Sequence, residues 1–248
     1  MKATAAAGPA VPRFEICPVV RPHDTIVLDS RTQDGDFMRE IKSQDVLLLL
    51  KLVSLEREDA AEVGVLKGAL GVPDDWRGWA DVEIFSPVGP GEEDWTVRGL
   101  ENSTGSSKAQ VSGALRRCVS VGLAHPDRRN GRLRTNTRAL RGLIAHGIKY
   151  VFPAQRGPLV RGIPTTYAAP VLAGKLLSAG QHPDVWEDGQ GAVLGQRVEP
   201  LHPAVPHAVR RDPTLYAMLA LVDAIRLGRE REMALAVEIL DKYLQEGS

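Results

Sequence analysis

Residues 95–141 read WTVRGLENSTGSSKAQVSGALRRCVSVGLAHPDRRNGRLRTNTRALR, and their pattern decides the fold. Ser103, Thr104, Gly105 and Ser106 form a cluster of breakers between two short apolar-periodic runs, with Gly105 suited to the positive φ of a tight corner. A helix ends there and another begins at Ser107, whose hydroxyl and the Gln110 amide three residues on make a capping box. Val111, Ala114, Leu115 and Cys118 then recur at helical spacing, which predicts a helix over 108–121 with that stripe buried. The remaining positions, Lys108, Gln110, Ser112, Gly113, Arg116 and Arg117, are small, polar or basic and carry no acid. Such a face fits a major groove about 12 Å wide and offers donors to base edges and phosphates.

The chain then passes Gly122-Leu123 and reaches Asp127-Arg128-Arg129-Asn130-Gly131-Arg132-Leu133-Arg134. Asn-Gly is a strong two-residue hairpin signal, so a basic hairpin is expected here. Between 108 and 141 nine basic residues stand against Asp127 alone, a local excess of eight positive charges. The chain as a whole is neutral, with 31 basic and 31 acidic residues, so any attraction for nucleic acid comes from a patch.

A capped helix, Gly-Leu and an arginine-rich hairpin in this order resemble the winged-helix domain of MarR-like transcriptional regulators. The resemblance covers 95–141 and implies a supporting helix over 97–103, a recognition helix over 107–121 and a wing over 125–134 lying along a minor groove or the phosphate backbone. A first helix is expected over 43–56, where SQDVLLLLKLVSLE offers a cap and buries Val46, Leu47, Leu50 and Val53. Glu101 and Thr104 depart from the family's pattern, which has a small and an aliphatic residue there. About forty residues also separate Glu56 from Thr96. The DNA-binding residues expected on this basis are Ser107, Lys108, Gln110, Ser112, Arg116, Arg117, Arg128, Arg129, Arg132 and Arg134.

Working outward, 248 residues of ordinary apolar and charged content describe a globular chain with a sizeable core. The expected class is α+β, mainly helical with a small β wing. Residues 1–42 form an N-terminal arm, with an Ala/Pro tail over 1–13 and one short strand at Ile26, Val27 and Leu28. Residues 43–147 form the winged-helix domain, interrupted by an acidic insert over 57–94. From 56 to 94 eleven acids stand against three bases. This stretch reads either as a solvated loop with a short helix over 60–70, or as an interaction surface around Trp76 and Trp79. Asn136 caps a further helix that buries Leu140 and Ile144 and stops at Gly147.

Residues 148–212 form a Pro/Gly-rich segment, since 147–212 holds eight glycines and eight prolines in 66 residues. Its apolar anchors, such as Phe152 and Trp186, suggest an extended arm laid over the domain or a partner subunit. Alternatively Arg156, Arg161, Thr165, Thr166 and Tyr167 line a ligand pocket. Over 213–248, Asp212 caps and Pro213 opens a helical segment with two stripes, one through Leu215, Met218, Leu219, Val222 and Ile225, the other through Met233, Val237, Leu240 and Leu244. Gly228 leaves a hairpin and a straight helix both open. The stripes either pack within the chain or form a homodimer interface.

Cys17 and Cys118 make neither a disulfide framework nor a metal pattern, and the scattered His182, His202 and His207 read as surface residues. No cofactor is expected. The N-terminus lacks the apolar core of a secretory signal and the longest apolar run, 46–50, is too short for a bilayer. A cytoplasmic protein without a membrane partner is expected. No phosphate loop, nucleophile elbow or metal motif supports an enzyme. Two functional readings follow: a sequence-specific double-stranded DNA-binding regulator acting as a homodimer, and an antitoxin-like or accessory module whose arm and terminal helices bind a partner enzyme.

Overall fold

The run of apolar residues in SQDVLLLLKLVSLEREDA leaves no polar face, and a helix that is apolar all round must be buried all round. A computed structural model, which describes residues 40–60, 90–176, 182–210 and 212–245, builds this stretch as α1 (Ser43–Ala60). Every residue from Val46 to Val53 is buried, Lys51 included. The helix divides the core. Leu48, Leu52 and Leu55, at i, i+4 and i+7, pack with Trp95, Leu100, Val111, Ala114, Leu115 and Leu133. Val46, Leu47, Leu49, Leu50 and Val53 face the larger cluster that fills the rest of the chain. The expected first strand, the N-terminal tail, Cys17 and the helix proposed over 60–70 with Trp76 and Trp79 lie outside the described residues.

On the smaller side of α1, a 3₁₀ turn (Glu92–Trp95) leads into α2 (Val97–Thr104), whose first turn is capped by Thr96 Oγ1 accepting the Gly99 N–H at 3.0 Å. Gly105 takes φ 72°, as the corner requires, and α3 (Lys108–Ser120) follows. Gly122, at φ 77°, ends α3 and turns the chain into β1 (Ala124–Pro126), which pairs antiparallel with β2 (Leu133–Thr135). Then come α4 (Thr137–His146), capped by Asn136 as expected, and the single turn α5 (Ile148–Val151).

The Pro/Gly-rich segment differs from the extended arm expected of it. Three strands, β3 (Arg156–Pro164), β4 (Asp184–Glu187) and β5 (Val193–Val198), close on one another. β3 runs antiparallel to both neighbours, and β4 runs parallel to β5. Closing a sheet of three strands squeezes backbone against backbone, which is what the glycines are for. A β-carbon at Gly162 would meet the Trp186 carbonyl oxygen at 1.9 Å, and one at Gly195 the Pro183 oxygen at 2.2 Å. Four of the five proposed pocket residues bind neighbours within the chain, while Arg161 is exposed. Arg156 binds Asp184 in a bidentate pair, Thr166 Oγ1 donates to the same carboxylate, Thr165 Oγ1 to Asp223, and Tyr167 to the His182 carbonyl.

The chain ends in α6 (Val205–Val209), α7 (Pro213–Leu227) and α8 (Glu230–Leu244). Gly228, in extended backbone at ψ 158°, breaks the segment into two helices that pack on each other. α7 is buried from Thr214 to Arg226. Its Tyr216 meets Trp186 of β4 edge-on, with centroids 5.9 Å apart. Asp223 accepts from Trp186 Nε1 and from Arg226, which also donates to the Phe152, Pro153 and Glu199 carbonyls. Leu219 and Leu240, on the stripes open to intrachain packing or a homodimer interface, are both buried within the chain. Among the described residues no helix is long and apolar enough to cross a membrane.

α1 and α7 meet at one polar knot. Lys51 Nζ donates to Asp212 Oδ2 at 2.8 Å, Ser54 Oγ to Asp212 Oδ1 at 2.7 Å, and the Leu215 N–H to the same Oδ1 at 2.8 Å. Burial by itself would lower the Lys51 ammonium, but the Asp212 carboxylate outweighs it and holds it above its usual range. Asp212→Ala removes the acid hydrogen-bonded to a buried cation, so we expect a loss of about 3–5 kcal/mol in urea unfolding; a loss under about 1 kcal/mol would show the knot to be incidental. Nearby, burial pushes the Glu58 carboxyl up to about 7, reinforced by Asp212, opposed by Lys51 and reinforced by Asp94. The unfolded group titrates near 4.3, so between these values the folded chain binds the extra proton and stability falls as pH rises. Glu58→Gln is expected to raise the urea midpoint at pH 7.5 and leave it unchanged at pH 4; equal shifts at both would reject the assignment.

Candidate nucleic-acid interface

The burial of Val111, Ala114, Leu115 and Cys118 fixes which side of α3 faces out. Ala109, Ser112, Gly113, Arg116 and Ser120 follow one another at i, i+3, i+4, i+7 and i+11, so a row of small residues with one arginine runs along the open side. The capping box forms as expected. Ser107 N–H donates to Gln110 Oε1 at 3.0 Å, and Ser107 Oγ accepts the Gln110 N–H at 3.4 Å. Gln110 Oε1 also takes the Ser107 hydroxyl at 3.0 Å, which leaves its Nε2 as the group able to reach a base.

The two departures from the family pattern have local reasons. Thr104 is buried but sends its hydroxyl back to the Leu100 carbonyl at 2.6 Å, so it fills an aliphatic position without an unsatisfied group. Glu101 lies on the outer side of α2, and its Oε1 accepts the Lys108 N–H at 3.0 Å. It therefore caps α3 from across the turn, on one of the donors a helix start leaves open.

The ten expected contact residues divide into two groups. Ser107, Lys108, Gln110, Ser112, Arg116, Arg128 and Arg129 lie on the outer side of α3 or at the hairpin tip, and among the described residues the basic ones make no ion pair. Arg117, Arg132 and Arg134 have partners inside the chain. Arg117 reaches under α3 to Asp45 of α1, with Nε–Oδ2 at 3.0 Å and Nη2–Oδ1 at 2.5 Å, and Asp45 is fully buried. Arg132 lies over the Trp95 ring, 5.0 Å from its centroid, and pairs with Asp59 at 3.3 Å and Glu92 at 3.6 Å. Arg134 pairs with Asp127 at 2.8 Å. Arg141 is likewise spent, on Asp241 of α8 at 2.6 Å. Of the nine bases over 108–141, five remain without an ion pair among the described residues: Lys108, Arg116, Arg128, Arg129 and Arg138. Arg138, in the first turn of α4 and exposed, was not singled out by sequence because it lies beyond the hairpin.

The hairpin tip is longer than the two-residue turn that Asn-Gly suggests. Pro126 pairs with Leu133, so residues 127–132 bridge the strands, and only Gly131 has positive φ. Asp127 organises this loop. Its Oδ1 accepts the Arg129 N–H at 2.8 Å, its carbonyl accepts the Gly131 N–H at 2.9 Å, and its N–H donates to the Arg132 carbonyl at 2.8 Å. Arg128 and Arg129 are left at the apex. Under α3, burial and the Asp45 carboxylate push the Cys118 thiol up to about 12, against the pull of Arg117, which makes it a packing residue rather than a nucleophile. Among the described residues no group of three or more His, Cys, Asp or Glu is placed to hold a metal.

No protein-family model, curated protein or solved structure matches the chain. The Arg117 and Asp45 pair makes its own demand. Arg117→Gln takes the guanidinium from a buried carboxylate, so we expect a stability loss of about 3 kcal/mol, read by urea unfolding, with DNA affinity per folded molecule unchanged. A variant that keeps full stability and loses affinity would return Arg117 to the contact surface.

Proposed function

We propose that this chain is a sequence-specific double-stranded DNA-binding protein of the winged-helix type, a cytoplasmic transcriptional regulator without catalytic activity of its own. The observation that carries the reading is the open row of α3, where Ala109, Ser112 and Gly113 leave the helix slim enough for a major groove and Arg116 stands on its axis. The hairpin apex supports it, because Arg128 and Arg129 are exposed there and make no ion pair among the described residues, as phosphate contacts require. Pairing of two copies on two half-sites is part of the proposal, through a surface other than Leu219 and Leu240, which the chain's own core already covers.

A second reading, binding to a partner protein, draws on the exposed Tyr150, Val151, Leu159 and Leu194. These residues lie on α5, β3 and β5 rather than on α3, so the reading is compatible with the first. Its mark would be a co-purifying protein lost on Leu194→Asp.

The DNA reading separates base contacts from phosphate contacts. Arg116→Ala is expected to weaken binding to a selected duplex more than to random DNA, by about 1–3 kcal/mol. Arg129→Ala is expected to weaken both alike and to reduce the slope of log K against log salt by about 0.9 per chain. Fluorescence anisotropy over a salt series reads both effects. Identical slopes for wild type and Arg129→Ala would remove the hairpin from the interface, and equal losses on both duplexes for Arg116→Ala would remove base readout.

A further inference from the structure

The surface around α3 receives a side chain from a hundred residues downstream. α6 packs against α2, and its His207 lies on the corner between α2 and α3. A β-carbon on Gly105 would stand 2.8 Å from His207 Cδ2 and 3.4 Å from Nε2. Gly105 is thus required twice, by its φ of 72° and by the imidazole that occupies the space of a side chain. His207, Gly105, Ser107 and Lys108 are all exposed, so they form one continuous edge at the start of α3. Among the described residues the His207 imidazole makes no hydrogen bond, which leaves its polar ring atoms available to a ligand.

When a helix-turn-helix docks, the first residues of its second helix enter the major groove and the preceding corner comes up to the groove's phosphate edge. In many such sites the helix start itself donates to a phosphate. Here the Lys108 N–H is already taken by Glu101, and the Glu101 carboxylate adds a negative charge beside it. With the Gln110 N–H also taken, by Ser107 Oγ, side-chain donors gain weight at this edge, and the exposed His207 and Lys108 stand there. We infer that His207 is a DNA-backbone contact, donating from its imidazole to a phosphate that flanks the groove entered by α3. This rests on the DNA-binding reading proposed above, and it makes α6 a third element of that interface.

The test is anisotropy of a labelled random-sequence duplex over a salt series, using the full chain as wild type, His207→Gln and His207→Arg, with Arg129→Ala as a reference. An exposed position tolerates both substitutions, and thermal unfolding confirms equal folding. His207→Gln is expected to weaken binding about 3- to 10-fold, the size of one hydrogen bond. His207→Arg is expected to tighten it and to steepen the salt slope by about 0.9 per chain. If wild type and Arg129→Ala differ but both His207 variants bind as wild type, the His207 contact is overturned and the DNA reading stands. If wild type has no salt-dependent affinity for any duplex, both fall.

Discussion

A lysine in the middle of a helix buried on every side costs several kcal/mol in lost hydration unless an acid meets it, and in this chain that acid comes from 161 residues away. Asp212 satisfies Lys51 and Ser54 of α1 and the first turn of α7 with two oxygens. The rest of the structure depends on this junction, because α1 is shared by both hydrophobic clusters. One side of it supports α2, α3 and the hairpin, and the other faces α7 with α8 and the closed sheet around it. An apolar pair of similar volume could hold α1 and α7 together as tightly. A single charged pair adds register, since sliding or rotating α1 against α7 would strand a buried ammonium.

The closed sheet joins the same framework through a second buried acid. Asp223 of α7 takes the Trp186 indole from β4 and the Arg226 guanidinium, which in turn gathers the Phe152, Pro153 and Glu199 carbonyls. Those carbonyls flank the start of β3 and the end of β5, where a strand pattern leaves backbone groups without ladder partners. Part-buried carbonyls of that kind cost free energy if left alone. Arg226 meets three of them with one side chain, and so fixes how the sheet sits on the helix.

The parts of the fold that were legible in the sequence are those whose determinants are local. Gly105, the Ser107–Gln110 box, the Val111 to Cys118 stripe, Asn136 and Asp212 act within a few residues of themselves, and each appears where its residue type predicts. The closed sheet was not legible, because the glycines that mark it as a place of close approach look the same in sequence as glycines of an irregular arm. Only the pairing of Gly162 with strand β4 and of Gly195 with the Pro183 backbone tells them apart. The two terminal stripes were open to packing within the chain or pairing with a second copy for a related reason: two apolar faces in a row say that both will be buried, but not in what. On the candidate interface, spacing gave the outward row of α3. It could not distinguish Arg116 from Arg117, since their difference is Asp45, which lies 72 residues earlier.

Neutrality of the whole chain and a basic patch are reconciled by these internal partners. Three of the hairpin-region arginines, Arg117, Arg132 and Arg134, spend their charge on Asp45, on Asp59 and Glu92, and on Asp127. The effect is mechanical as much as electrostatic. Arg117 locks α3 onto α1, and Arg132 stacks the base of the hairpin on Trp95. A surface that recognises a shaped partner gains from having its donors fixed before the encounter, because ordering a long side chain on binding costs about 0.5–1.5 kcal/mol each. The loop between β1 and β2 is organised by Asp127 in the same sense, so Arg128 and Arg129 extend from a defined apex rather than a loose tip. The tethered arginines thus shape the surface, while those without an ion pair among the described residues, Lys108 and Arg116 on α3, Arg128 and Arg129 at the apex and Arg138 on α4, carry its charge. A patch built this way has a smaller positive field than its residue count suggests. On the DNA-binding reading proposed above, such a patch would rely more on the fit of α3's slim outer row than on attraction alone, the balance that favours one sequence over bulk DNA.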